Sequence, residues 1–202
     1  MKTITGLFDD YADGRAAVTA LEAEGIPSKD ISIVSNNAAG RPVEDASDVG
    51  EKAGAGAGIG AVVGGAGGLL TGLGLMAIPG VGPVVAAGWL AATAAGALAG
   101  AVAGGAAGGL IGALTDSGVP EDHAHVYAEG VRRGGTLVTA KVDDMHVERA
   151  NAILKRSSWV DPVERRRAYA EQGWSTFDDT AAPYGQAEVQ QERDRYRGRT
   201  GL

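Results

Sequence analysis

Glu121-Asp122-His123-Ala124-His125 is the run most suggestive of a metal in this chain. On a helix its two histidines, two residues apart, project to different faces, whereas Glu121 and His125 share one. The run reads as a solvated helix start with acids near the positive dipole end, and no metal site is assigned to it. His146, beside Asp143, Asp144 and Glu148, reads in the same way. Ser157 and Ser158 have no convincing local base, so no nucleophile with its activating partner emerges. Gly56-Ala57-Gly58 with Ala61, and Gly72-Leu73-Gly74 with Ala77, fit a relaxed dinucleotide fingerprint, but neither follows a strand and opens a helix. A P-loop lysine is absent. The residue types therefore assign no catalytic, cofactor-binding or metal role, and the chain reads as a non-enzyme.

The patterned feature is of another kind. Between Lys52 and Asp116 no Asp, Glu, Lys or Arg occurs, and glycines recur at intervals of four: Gly56, Gly60, Gly64, Gly68 and Gly72, then Gly96, Gly100, Gly104, Gly108 and Gly112. That interval puts small residues on one helical stripe, where two backbones can approach closely, as helix pairs do in lipid. Ile78-Pro79-Gly80-Val81-Gly82-Pro83 divides the stretch into arms of roughly Gly54 to Ala77 and Val84 to Leu114. At 1.5 Å per residue these reach about 36 Å and about 46 Å, against a hydrocarbon core of roughly 30 Å. The expectation is a helical hairpin of transmembrane type whose glycine stripes mediate homo-oligomerisation. Glycine disfavours helix in water by about 1 kcal/mol per residue, so the arms need a bilayer or close partners. A soluble homo-oligomer that buries the hairpin is the alternative.

The flanks carry ordinary amphipathic patterns. Thr3 to Phe8 alternates as a strand, Asp9 or Asp10 can cap a helix with Ala17, Val18 and Leu21 on one side, and Ile31-Ser32-Ile33-Val34 is a second strand. After the apolar stretch, Pro120 opens a helix presenting Ala124, Tyr127 and Val131, which Gly134-Gly135 stops. Thr136 to Val142 is a strand, Asp143-Asp144 caps a helix facing inward through Val147, Ala150, Ile153 and Leu154, and Trp159-Val160 begins a last strand. Phe8-Asp9-Asp10 matches Val142-Asp143-Asp144, and Arg15-Ala16 matches Arg149-Ala150, at one offset. Two β-α-β halves of this kind pair into a four-stranded antiparallel sheet backed by two helices, an α+β ferredoxin-like domain. The expected organisation is 1–49 as the first half, 50–115 as the inserted hairpin, 116–163 as the second half, and 164–202 as a tail. The tail balances seven acids with seven bases and reads as disordered, with Arg165-Arg166-Arg167 as a solvated face. Gly173-Trp174-Ser175-Thr176-Phe177 can dock on the domain or on a membrane interface.

A net charge of −7 argues against nucleic acid as a partner. The absence of cysteine fits a reducing compartment, and the N-terminus has too short an apolar run for a signal peptide, so the flanks read as cytoplasmic.

The Gly-Leu-Phe-Asp-Asp strand end, the Asp30-Ile31-Ser32-Ile33-Val34 strand, the glycine-rich middle and the segment Tyr127 to Val138 together resemble the bacterial general stress protein family, whose members are labelled heat-induced or low-temperature-induced. The resemblance covers most of residues 2–163. It implies a stress-response role and no established catalytic residues. Together these readings predict a non-enzymatic, membrane-associated protein whose partners are the lipid bilayer and itself, with the folded domain on the cytoplasmic side. A ligand-sensing membrane module and a pore are the other expectations for the hairpin.

Overall fold

The computed structural model describes residues 1–40, 74–94, 109–156 and 158–197. Strands are β1 (Lys2–Phe8), β2 (Ile31–Asn36), β3 (Gly74–Ile78), β4 (Gly82–Gly88), β5 (Thr136–Val142) and β6 (Trp159–Val160). Helices are α1 (Tyr11–Ala23), α2 (Leu110–Asp116), α3 (Glu121–Arg132), α4 (Val147–Arg156), α5 (Pro162–Ala170) and α6 (Gln186–Arg197), and residues 89–94 are also helical. The protein is a mixed α+β fold built on one six-stranded sheet in the order β3-β4-β2-β5-β1-β6, with antiparallel pairing throughout.

Strand periodicity sorts the side chains into two cores. On one face Ile4, Phe8, Ile31, Ile33, Val138 and Ala140 meet Ala17, Val18 and Leu21 of α1 and Ala150, Ile153 and Leu154 of α4. On the other, Leu7, Val34, Leu137, Val84 and Ala86 meet Ala124, Tyr127, Ala128 and Val131 of α3, together with Leu90, Leu110 and Leu114. Successive residues such as Leu7 and Phe8, or Ile33 and Val34, therefore serve opposite layers. β2 is buried at all six positions because it is covered on both faces and paired on both edges.

The repeat seen in the sequence has a structural counterpart. β1 and β5 stand at the same offset as the repeated residues and lie side by side, Lys2 opposite Val142 and Phe8 opposite Thr136. Their following helices, α1 and α4, share one face. Asp10 occupies the N-cap position of α1, although its side chain makes no capping hydrogen bond there.

Three expectations are corrected. First, the Ile78 to Pro83 break is the turn of a β-hairpin, closed by the Val81 amide donating to the Ile78 carbonyl at 3.0 Å, and its flanks are strands rather than helices. β4 pairs with β2 from Ser32–Gly88 to Asn36–Val84, so the sheet has six strands where four were expected. The physical reason is competition: glycine and valine near the break make poor helix, and the open edge of β2 satisfies the same backbone groups. Second, where the structure describes the expected hairpin arms, at 74–94 and 109–114, no helix is long and apolar enough to cross a membrane, and the remainder of those arms, 54–73 and 95–108, lies outside the described residues. Third, the segment expected to be a disordered tail contains α5 and α6, packed against α3. Its polarity misled because it docks through aromatic rings and arginines rather than through an aliphatic face.

Candidate functional site

The strongest concentration of buried polar chemistry lies where the C-terminal segment crosses α3. Glu129 is fully buried, although the helical pattern of α3 turns it away from the sheet, because α5 and α6 cover that side. Its carboxylate accepts from Arg133 Nε at 2.6 Å, at the C-cap of α3, and from Arg132 at 3.2 Å, in the last turn of the same helix. Arg133 also donates to Gln172 at 2.7 Å and to Glu192 at 3.4 Å, linking α3 to α6. Burial acts against the Arg133 cation, but the hydrogen bond and charge of Glu129 outweigh it and hold the pKa above the ordinary arginine value.

Aromatic rings complete the contact. The Arg133 guanidinium lies 4.1 Å from the Tyr169 ring centre, and Arg165 lies 3.9 Å from that of Tyr196. Each such contact contributes roughly 0.5–2 kcal/mol, according to how far it is desolvated. Tyr169 packs edge-on against Trp174 and Tyr196. Arg165 grips Asp9 through two hydrogen bonds of 2.7 and 2.9 Å, so the basic run expected to be solvated is anchored to the end of β1. Burial again opposes the cation, and the Asp9 hydrogen bond raises its pKa.

Two hollows border this contact. A cleft of about 190 Å³ is lined by Asp9, Ser158, Trp159, Glu164, Arg165 and Tyr196. A more open one of about 400 Å³ lies among Glu121, Asp122, His125, Arg166, Ser175 and Thr176. Glu121 and His125 do share a helical face, with 3.8 Å between carboxylate and ring nitrogen. Thr176 Oγ1 lies 3.0 Å from His125 Nδ1, on the other side of the ring. His123 instead turns to Tyr127, edge to face. His146 is exposed. Among the described residues no three His, Asp or Glu side chains gather as a metal would need. Ser158 lines the smaller cleft, and the side chain of Ser157 lies outside the described residues.

Of the ten stripe glycines, Gly112 stands in α2, half-buried between the core residues Leu110, Ala113 and Leu114, and its carbonyl accepts from Thr115 at 3.0 Å. Gly56, Gly60, Gly64, Gly68, Gly72, Gly96, Gly100, Gly104 and Gly108 lie outside the described residues. No family model, curated protein or solved structure matches the chain.

Sequence reasoning missed Glu129, Arg133, Tyr169 and Glu192. A signal was present: Tyr169, Trp174, Phe177, Tyr184 and Tyr196 place half of the chain's aromatic residues in its last fifth. A tail that remains solvated has little use for that much apolar ring surface.

Proposed function

We propose that this chain is a non-enzymatic stress-response protein that self-associates through its Gly/Ala-rich stretches and meets the membrane from one side, with the folded domain cytoplasmic. A ferredoxin-like core underlies it: the order β2-β5-β1-β6, with α1 and α4 on one face, supports that reading.

The observation that carries the proposal is the placement of the β3–β4 hairpin in the same sheet as β2. That placement leaves two excursions between points on the one domain, 41–73 and 95–108, of which only 53–73 and 95–108 belong to the apolar stretch. Crossing a bilayer and returning as helix takes about 40 residues. Neither excursion has that many, which favours contact with one leaflet and with other copies over a full span. The negative charge argues against nucleic acid in this role.

Two measurements on the full chain test the reading. Cross-linking in native membranes is expected to trap homo-oligomers, and protease added from the cytoplasmic side is expected to reach every cleavable loop. A chain that stays monomeric and fails to float with vesicles, or a loop cleaved only from the far side, would sink it.

A further inference from the structure

The hairpin turn between the two Gly/Ala-rich stretches is covered by the C-terminal segment. Were Gly80 to carry a Cβ, that atom would sit 2.6 Å from Asp179 Cα and 2.8 Å from the Asp178 carbonyl; one on Gly82 would sit 2.6 Å from Pro183 Cβ. Both glycines hold positive φ, +71° and +95°, so turn geometry and close approach require glycine together. Beneath this contact Ile78 and Val81 are buried, and Phe177 packs against the same core.

The covering segment is held at points outside the hairpin. Asp178 Oδ1 accepts from the amide and hydroxyl of Thr180, a local turn that shapes the segment by itself. Arg132 donates to the Ala182 carbonyl at 3.0 Å and lies 5.0 Å from the Tyr184 ring centre. Beyond it, Val189 sits on Gly134 and Arg193 donates to the Gly134 carbonyl at 2.8 Å. Glu129 keeps both arginine partners at the end of its own helix, Arg132 in the last turn and Arg133 at the C-cap, so lifting the segment leaves no uncompensated carboxylate on α3.

We propose that residues 177–184 are a releasable strap over the hairpin turn, anchored by α6, and that its release frees Ile78 and Val81 and promotes association with a second copy. The association part rests on the self-association reading; the strap itself does not. Hydrogen exchange on the full-length chain separates them, using Val189→Asp to unseat α6 and Tyr184→Ser to loosen the strap alone.

The expected result is exchange at least about tenfold faster at the Val81 amide in both variants, with β1 and β5 amides unchanged. Should Val189→Asp also accelerate β1 and β5, Tyr184→Ser decides. Unchanged exchange at Val81 while α6 amides speed up overturns the strap. So does a tail whose protection survives both substitutions, since it would not be held by these contacts. Light scattering then reads association: a higher mean mass in the variants supports the coupling. Monomers throughout, with Val81 exchange still responding, would leave the strap standing and remove self-association.

Discussion

Tyr127 shows what burial does to a single ionisable side chain. It is 4 % exposed, and desolvation, followed by the nearby charges of Asp161 and Asp122, pushes its pKa up from 10.0 to about 12. Below pH 10 folded and unfolded chains both keep the phenolic proton, so stability does not depend on it. Between pH 10 and 12 the unfolded chain ionises first, and stability falls by about 1.4 kcal/mol per pH unit. Urea midpoints measured from pH 9 to 11.5 are expected to drop along that course, and less steeply in Tyr127→Phe. Equal slopes in the two proteins would locate the alkaline sensitivity elsewhere. Buried Tyr169 is raised in the same direction, mainly by desolvation and with the charge of Arg165 opposing it, so some slope is expected to survive the substitution.

Among the elements, the β3–β4 hairpin departs furthest from its sequence reading, and Gly88 sits at one end of the β4–β2 ladder that joins it to the sheet, opposite Ser32. That residue holds φ +89°, and an added Cβ would meet the Ile31 carbonyl oxygen at 2.2 Å and Ser32 Cα at 2.8 Å. Gly88→Ala is therefore strained both by conformation and by contact with backbone that cannot move without opening the β2–β4 pairing. The expected cost is about 2 kcal/mol or more, read from chemical denaturation. Amides of β4 are expected to exchange faster while those of β1 and β5 hold. An alanine variant as stable as the parent would mean that the hairpin contributes little to the sheet. The outer strand β3 leaves Leu75 63 % exposed, whereas the opposite edge, β6, is only two residues long and is followed by Pro162.

For the whole molecule, the apolar stretch belongs partly to the core. Ile78, Val81, Val84, Leu90, Leu110 and Leu114 are buried on the α3 face with Val34 and Leu137. Replacing residues 52–116 with a short flexible linker therefore uncovers that face, although it leaves β1, α1, β2, β5 and α4 in the chain. The expected outcome is loss of a cooperative thermal transition, or binding of a hydrophobic dye at room temperature. A cooperative melt near the parent midpoint would show that the α1–α4 layer is sufficient and that the hairpin is an addition.

By itself the sequence determined β1, α1, β2, α3, β5, α4 and β6, because each is announced by local terms: side-chain alternation, a 3.6-residue apolar stripe, and Asp, Pro or Gly at its ends. Glu121 and His125 were placed on one face by helical spacing alone. Tertiary structure decided the remainder. Residues 74–88 carry no period that separates strand from helix, and their state was set by the open edge of β2, about 50 residues before its partner β4 in the chain. The tail is polar on average, and its order came from stacking Tyr169 and Tyr196 on Arg133 and Arg165, contacts between segments distant in sequence. Glu129 sits on the face of α3 that the pattern assigns to water, and the arrival of α5 and α6 over that face made it a buried charge. Local periodicity reports which side of an element is apolar; what covers the other side is a non-local outcome.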